Sequence, residues 1–339
     1  MKTQTAATPS PMTLFLALNA YHRTAAIKGA IELDLFTAIA EGNTTVAQIA
    51  KHCGASERGV RILCDFLVVD GFLTRSGDHY ALTQDSAVFL DRHSPAYLGG
   101  MVRFLTHPEY SKAYSDIAEV VRRGTTLLPD GGSVKVENDL WVAFADGMAN
   151  MMVPAAQRIA ELIGADQNKA MEVLDIAAGH GVFGVTIAQQ NKNAKITALD
   201  WPAVLEVAGK RAQSAGVGDR YRTLPGDFFK TELGGPYDVV LVTNFYHHFD
   251  LETCASIARK VKAALKPGGK MVTLEFVPND DRISPPVPAT FSLVMLASTP
   301  SGNAYTFAEF ERIFRAAGFG QTTRQEVMPG HPETILVAQ

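Results

Sequence analysis

The feature that most constrains the fold is an alternation of short apolar runs with helical segments from Ala170 to the C-terminus. Apolar residues recur at helical spacing in VFGVTIAQQ, VLEVAGKRAQSAG and FAEFERIFRAAGF. The other apolar runs have the length of strands: MEVLDIA, KITALD, YRTLPGD, DVVLVTN, KMVTLEFV and ETILVAQ. Because strands that alternate with helices pair in parallel and are covered on both faces, this half predicts an α/β fold with a doubly wound sheet.

The N-terminal part has a different pattern. Apolar residues recur at helical spacing over residues 13–36 and again over 44–72, where Ser56 is a good N-cap and Gly71 a good stop. The segment FLTRSGDHYALT then reads as a hairpin that turns at Ser76-Gly77-Asp78. Helix, turn, helix and β-wing together predict a mostly helical winged-helix module over residues 12–96.

A third pattern, helical and interrupted by the loop LLPDGGS, fills residues 97–164. Its second half is rich in methionine and aromatic residues: Trp141, Phe144, Met148, Met151 and Met152. Such a stripe is by default core packing, but soft, polarizable side chains can also line an apolar ligand pocket. The chain is thus divided into residues 12–96, a helical linker over 97–164 and an α/β domain over 165–339.

Composition narrows the range of partners. The net charge of −4 gives no general attraction to nucleic acid or to an anionic membrane. No segment approaches the roughly 18 apolar residues of a membrane span, and the polar start MKTQTAATPSP does not resemble a signal peptide. Cys53, Cys64 and Cys254 lack C-x-x-C spacing. We therefore expect a cytoplasmic protein with reduced thiols and no metal site.

A glycine-rich loop and three carboxylates mark the ligand site. The segment LDIAAGHGVFG follows a strand, opens a helix and spells G-x-G-x-x-G at Gly179, Gly181 and Gly184. Asp175 lies four residues before Gly179, where a carboxylate repels a pyrophosphate but suits an ammonium group. Asp200, about 20 residues after the glycines, has the position of an acid that binds ribose hydroxyls. The alternatives are a bare tight turn, with the acids as helix caps, and a nicotinamide-dependent dehydrogenase.

The order of the motifs resembles a known family. D-x-A-x-G-x-G, an acid after the second strand, GDFF, and LKPGG before VTLEFVP look like the class I S-adenosylmethionine methyltransferases, which have a Rossmann-like sheet. With the winged-helix module, WVAFADGM, LDWP, FYHHFDLETC and MLASTPSGNAYTFAEF, nearly the whole chain is similar to the caffeic acid and acetylserotonin O-methyltransferase-like family. The resemblance implies S-adenosylmethionine as the cofactor, O-methylation as the reaction and a front module that forms a homodimer instead of binding DNA.

The resemblance also implies roles for single residues. The methionine end of the cofactor would be held by Asp175, Gly179 and Gly181, and the ribose by Asp200. The adenine would be held by Asp227 and Phe228. The remaining cofactor contacts would come from the residue after the ribose acid and from the end of the fourth strand: Trp201, Thr243 and Asn244.

The stretch HHFDLETC, from His247 to Cys254, matches the spacing of the family's H-D-W-x-D-E-x-C stretch. The match implies that His247 is the catalytic base and Glu275, in VTLEFVP, its supporting carboxylate. A second supporting acid of the family maps to Ala304 and is absent. Two alternatives stay open: His248 as the base with a register shifted by one, and a histidine that only caps the loop.

The proton that the acceptor must lose indicates the chemical class of the acceptor. Free phenol and imidazole differ by about 3.5 pKa units, or about 5 kcal/mol. A sulfonium ~4 Å away, at an effective dielectric of ~20, offers about 4 kcal/mol to a forming phenolate. A histidine base therefore suits a phenol or enol on a small aromatic acceptor. Its predicted pocket lies between the Trp141–Met152 helix and residues 291–305, with contacts from five residues: Phe144, Met148, Met151, Met295 and Thr299.

Two further functions remain possible on the sequence. A DNA-binding regulator would use Arg58 and Arg61 of the winged helix, but the following Leu63, Phe66 and Leu67 are apolar. Transfer of the methyl group to carbon or nitrogen would use the same cofactor site, and the missing acid at Ala304 favours it.

Overall fold

The chain divides into two compact units between Val102 and Arg103. The structure is a computed structural model that describes residues 9–135 and 139–339. Residues 103–164, which the sequence pattern separates as a linker, belong to the second unit. No helix in the described part of the chain is long and apolar enough to cross a membrane.

The first unit is a helical module with a small hairpin. Its elements, in chain order, are α1 (Met12–Glu32), α2 (Leu35–Ala40), α3 (Val46–Cys53), α4 (Glu57–Val69), β1 (Leu73–Ser76), β2 (His79–Leu82) and α5 (Gln84–Phe89). The Ser56 side chain accepts a hydrogen bond from the Gly59 amide at 3.1 Å and caps α4. β1 and β2 pair antiparallel, as the hairpin pattern predicts.

The N-terminal half of α1 has no cover among the described residues of its unit. Phe36, Ile49, Leu67 and Tyr80 are fully buried in the core of this unit. By contrast, five large apolar side chains of α1 are each more than half exposed: Leu14, Phe15, Leu16, Leu18 and Tyr21. These side chains lie on all sides of the helix, and exposed apolar surface of this extent marks a contact surface.

Helices precede the sheet in the second unit: α6 (Met101–Leu105, which begins in the first unit), α7 (Pro108–Ala113), α8 (Ile117–Arg123), α9 (Asp139–Gly147) and α10 (Ala149–Leu162). The expectation of one helix over Trp141–Met152 is wrong, because α9 ends at Gly147 and α10 begins at Ala149 with Met148 as its N-cap. Glycine is a poor helix former, which favours a helix end at Gly147.

The sheet has seven strands in the order β5-β4-β3-β6-β7-β9-β8. Its elements are β3 (Met171–Ile176), α11 (Val182–Gln190), β4 (Ala194–Asp200), α12 (Pro202–Ser214), β5 (Tyr221–Pro225), β6 (Tyr237–Thr243), α13 (Leu251–Ala264), β7 (Leu265–Glu275), α14 (Pro286–Ser298), α15 (Phe307–Ala316), β8 (Thr322–Glu326) and β9 (Thr334–Ala338). The five strands β3 to β7 are parallel, which confirms the doubly wound fold. β9 is antiparallel to both of its neighbours. The sequence pattern does not predict β8, because TTRQE is polar and forms an edge strand.

Successive residues of each strand face opposite sides of the sheet. In β3, Val173 packs in the core that contains residues of α10 and α11, whereas Leu174 and Ile176 pack in the core that contains residues of α13 and α15. Asp175 therefore shares the face of Val173. This alternation decides which polar side chains reach the loops at the end of the strands and which remain beneath the helices.

Candidate active site

A cavity of about 640 Å³ opens where the parallel strands end. This is the place where open α/β sheets bind their ligands. All of its walls come from the second unit. The loops that follow β3, β4 and β5 form one end, the loop that follows β6 borders both ends, and side chains of α9, α10 and α14 complete the walls.

The glycine loop lies against the cavity and is closed by Asp200. Gly179 has a φ of +54°, and its amide donates to Oδ2 of Asp200 at 2.8 Å. The Trp201 amide donates to Oδ1 of the same carboxylate at 2.7 Å. A Cβ at Gly179 would come within 3.1 Å of the Phe144 ring, so the loop needs glycine for this close approach. Asp200 and Trp201 both line the cavity.

Burial raises the pKa of Asp200 to about 6, although the two amide hydrogen bonds act in the opposite direction. The carboxylate is thus held in place but is poorly solvated. A ligand that brings hydroxyl donors to it would favour its charged form.

Gly181 and Asp175 lie behind the loop and do not line the cavity. A Cβ at Gly181 would come within 2.9 Å of Ala208 in α12, so this glycine allows helix and loop to pack closely. One oxygen of Asp175 accepts from the Gly184 amide at 3.3 Å, and the other has no hydrogen-bond partner among the described residues. Burial, with a smaller effect of the Asp200 charge, raises the pKa of Asp175 to about 8.

The loops after β5 and β6 complete this end. Asp227 and Phe228 line the cavity, and the ammonium group of Lys260 lies 4.7 Å from the centre of the Phe228 ring. Thr243 and Asn244, at the end of β6, line it as well. Carboxylates for hydroxyl and amine donors, a buried aromatic ring and a glycine loop form a set that fits a nucleoside with an amino-acid tail.

At the other end, a histidine is bound to a buried glutamate. Nδ1 of His247 lies 2.6 Å from Oε2 of Glu275, and both residues are buried. Oε1 of Glu275 accepts from the amides of Phe245 at 3.0 Å and Tyr246 at 2.8 Å. The carboxylate therefore fixes both the turn after β6 and the imidazole ring. His247 lines the cavity, whereas Glu275 lies behind it.

This arrangement selects one tautomer. A carboxylate can only accept, so in the neutral imidazole the proton is on Nδ1, and Nε2 is the atom that can take up a proton. His248 also lines the cavity, but its Nδ1 has no partner among the described residues. Burial and the neighbouring His247 hold the pKa of His248 well below its usual value. Its ring packs edge-on against Trp141.

Three of the five residues predicted to contact the acceptor line the cavity: Phe144, Met148 and Met295. Met151 lies outside its walls, and Thr299 lines a separate surface pocket. There the Thr299 hydroxyl donates to the Met295 carbonyl at 2.7 Å, which caps the end of α14. Ala304 is buried and offers no carboxylate, so Glu275 is the acid that holds His247.

The sequence interpretation named the segment 291–305, which begins at Phe291, but missed Phe276, His180 and Glu333 as parts of the wall. Phe276 and Phe291 stack with ring centres 4.0 Å apart, and Phe291 also packs edge-on against His247 at 5.0 Å. His180, within the glycine loop, stacks on Phe144. Glu333, just before β9, is a buried acid of the same wall. Phe276 directly follows Glu275, which is a usable signal, whereas nothing local to Glu333 indicates a ligand site.

Comparisons with known proteins agree with this geometry. The O-methyltransferase domain family matches residues 107–320, and the O-methyltransferase dimerisation domain family matches residues 15–92. The 3-hydroxy-5-methyl-1-naphthoate 3-O-methyltransferase of Streptomyces sahachiroi is 28% identical over 87% of this chain and 86% of its own length.

Two solved structures extend the comparison. A candidate O-methyltransferase from Nostoc punctiforme PCC 73102 is 46% identical, with a TM-score of 0.93 over 98% of this chain and 99% of the other. Human N-acetylserotonin methyltransferase, solved with S-adenosylmethionine, is 21% identical and shares the fold, with a TM-score of 0.84 over 99% of both chains. The family match spans more than half of the chain and confirms the resemblance seen in the motifs. The protein is therefore a member of the S-adenosylmethionine-dependent O-methyltransferase family.

Proposed function

We propose that this enzyme methylates a phenolic or enolic hydroxyl of a small aromatic acceptor, with His247 as the general base. The observation that carries the proposal is the hydrogen bond of 2.6 Å between His247 and Glu275 at the wall of the cavity. It fixes the ring orientation and leaves Nε2 as the proton acceptor. His248 has no such support.

The walls around His247 favour an aromatic acceptor. Trp141, Phe276, Phe291 and Met295 surround this end of the cavity with apolar and polarizable surface. The relative from Streptomyces sahachiroi is named for a hydroxynaphthoate, a fused-ring phenol. A planar phenol that packs among these rings would bring its hydroxyl to His247.

Some residues of the cavity would hold the cofactor, and others would transfer the proton. We assign Asp200 to the ribose hydroxyls, and Asp227 with Phe228 to the adenine. When bound, S-adenosylmethionine supplies a methyl group on a positively charged sulfur. His247 removes the hydroxyl proton and Glu275 stabilises the resulting imidazolium. A phenol is within reach of this base, whereas an alcohol with a pKa near ~16 leaves a gap of about 13 kcal/mol.

Asp175 would act on the cofactor through the loop. It lies beneath Gly184 and not in the wall, so its charge would stabilise the ammonium end of the cofactor without direct contact. Gly179 would bring the loop backbone close to the same group.

We further propose a homodimer formed through the first unit. Residues 15–92 match a dimerisation domain, and α1 exposes Leu14, Phe15, Leu16 and Leu18. The change Leu16→Glu should shift the mass measured by light scattering toward that of a monomer. The same change at the exposed Val121 of the second unit is the control. A dimer that persists after changes at both Leu16 and Leu18 would contradict this interface.

The reaction is tested with methyl-labelled S-adenosylmethionine and a panel of naphthols, other phenols, enols and simple alcohols. Label should pass to phenols or enols and not to alcohols, and NMR of the product should show a methyl group on oxygen. Label on carbon or nitrogen, or equal use of alcohols, would overturn the proposal. An inactive panel with intact cofactor binding would overturn the assignment of the acceptor class.

A further inference from the structure

Glu333 is a buried acid at the cavity that the proposed reaction does not use. It is 3% exposed, directly precedes β9 and lines the cavity wall. Its Oε1 has no hydrogen-bond partner among the described residues. An unpaired buried polar atom costs about 1–3 kcal/mol, so a carboxylate without a role would be replaced at little cost by an apolar side chain.

Two polar residues near Glu333, His331 and Asn244, also have a side-chain atom without a hydrogen-bond partner among the described residues. The Glu333 amide donates to Nδ1 of His331 at 3.2 Å, so the neutral ring has its proton on Nε2. That Nε2 lies 4.0 Å from Oε2 of Glu333, too far for a hydrogen bond, and has no partner within the described part of the chain. Oδ1 of Asn244 is buried and equally unpaired there. Three unsatisfied polar atoms thus occur on neighbouring residues beside a largely apolar cavity.

The cluster borders the end of the cavity that contains His247, because Asn244 lies in the loop after β6, three residues before His247. Thr334 pairs with Glu275 across β7 and β9, which brings Glu333 to the end of the strand that supports the base. Burial, and then the charge of Glu275, raises the pKa of Glu333 to about 7, whereas the Asn244 side chain acts in the opposite direction. At the cofactor end, by contrast, it is the charge of Asp200 that contributes to the raised pKa of Asp175.

We propose that Glu333, with Asn244 beside it, binds a second hydrogen-bond donor on the acceptor, a hydroxyl or an amine, and thereby determines acceptor specificity. The inference rests on the proposed function, because it assumes an aromatic acceptor in this cavity. A donor from the acceptor would satisfy Oε1 of Glu333. An acceptor without the donor would leave the acid unpaired in a closed site, which is the arrangement that rejects such analogues.

The test uses matched probes: 1-naphthol and 2-naphthol, the isomeric dihydroxynaphthalenes, and the corresponding aminonaphthols. In the wild type, the best dihydroxy or amino isomer should exceed its naphthol in kcat/KM by roughly 10- to 100-fold, which is well within the discrimination that such sites reach. In Glu333→Leu this ratio should fall to within a few-fold of one, while turnover of the naphthol is kept or increased. Glu333→Gln keeps an amide oxygen that can accept a hydrogen bond, so it should retain part of the preference for the hydroxyl or amine.

Controls separate the possible failures. Glu326→Gln, on the exposed face of the neighbouring edge strand, should leave the ratio unchanged. The affinity for S-adenosylhomocysteine and the melting temperature are measured for every variant. If the wild type methylates no phenol, the proposed function fails. If it methylates naphthols but the ratio is near one, or unchanged in Glu333→Leu, only the present inference fails. A loss of S-adenosylhomocysteine affinity with unchanged selectivity would place Glu333 in the cofactor site and would also overturn it.

Discussion

The two ends of the cavity use buried carboxylates in opposite ways. Glu275 receives hydrogen bonds from two backbone amides and from His247, all within 3.0 Å. Asp175 receives one, at 3.3 Å, and its other oxygen has no partner among the described residues. The acid that supports the base is therefore fully paired within the chain, whereas Asp175, behind the cofactor end, is an acid whose charge a bound cation would favour.

This difference explains why the two ends should respond differently to substitution. A preorganised hydrogen-bond network acts on the rate of the chemical step, because it positions the base before the acceptor arrives. An unsatisfied acid acts on affinity, because its energy changes when the ligand binds. Changes at the base end should thus lower turnover, and changes at the cofactor end should lower cofactor binding.

The largest effect is expected for His247→Ala. Loss of the base should reduce kcat/KM for a phenol by roughly 10²- to 10⁴-fold. The dissociation constant of S-adenosylhomocysteine, measured by calorimetry, should stay within a few-fold. A larger loss in His248→Ala than in His247→Ala would move the base by one residue, and full activity of His247→Ala would remove it.

Glu275→Gln should come next. Its amide group cannot accept from the Nδ1 proton, so it favours the wrong tautomer while the carbonyl still accepts from Phe245 and Tyr246. We expect a loss of kcat of at least about 10²-fold, since the base stays in place but has the wrong tautomer and no supporting charge. A lower kcat in steady-state kinetics, with unchanged affinity for S-adenosylhomocysteine, would support the contrast between the two ends of the cavity. A change confined to cofactor affinity would contradict it.

At the cofactor end, Asp200→Asn should weaken S-adenosylhomocysteine binding by roughly 10- to 100-fold. Asparagine has one oxygen to offer, so it cannot satisfy both the Gly179 and Trp201 amides and also bind ribose. Turnover at saturating cofactor should change by only a few-fold. The exposed Asp219 provides the matched control in Asp219→Asn. An unaltered affinity would remove Asp200 from the site.

The raised pKa of Asp200 predicts that cofactor affinity depends on pH. That pKa is raised to about 6, so the carboxyl is protonated in the free protein below that pH and ionised above it. Because binding to ribose hydroxyls favours the ionised form, the affinity for S-adenosylhomocysteine should fall as the pH drops through 6, by at most tenfold per pH unit. Calorimetry from pH 5 to 8 tests this, and the part of the slope that is due to Asp200 should disappear in Asp200→Asn.

The smallest effect is expected for Asp175→Asn, on stability. The folded-state pKa of Asp175 is about 8, above its ordinary value of 3.8. A raised carboxyl pKa contributes stability that is complete below about pH 4 and is lost as the pH rises toward 8. Without cofactor, the variant should therefore melt higher than the wild type at pH 8, by a few degrees, and gain less at pH 5. A lower melting temperature at pH 8 would contradict the view that this charge is unfavourable without a ligand.

Much of the cofactor end was predictable from local sequence. The strand, the glycine loop and the helix are consecutive, and Asp200, Asp227 and Asn244 each follow a strand of one parallel sheet. Parallel strands carry such residues to a single edge, so position in the chain translates into position in space. The sequence pattern placed Asp175 correctly in a strand. Because side chains alternate between the two faces of β3, that of Asp175 lies beneath the helices and not in the cavity wall.

The acceptor end depended on packing between distant segments. Met151 and Thr299 are residue types that often line pockets. The rotation of α10 and the cap of α14 keep their side chains out of the wall of this cavity. Glu333 reaches the cavity from a segment that no local pattern connects to His247.

The sequence by itself determined the alternation of strands and helices and the glycine loop, because each depends on neighbours along the chain, and the resemblance to the family implied His247 as the base and Glu275 as its support. Only the tertiary structure decided that Glu275 holds His247 in one tautomer, that Asp175 stands behind the loop and that Glu333 faces the cavity. These three depend on which face a side chain takes and on how β9 pairs with β7. Such choices are made by the packing of the whole sheet against its helices.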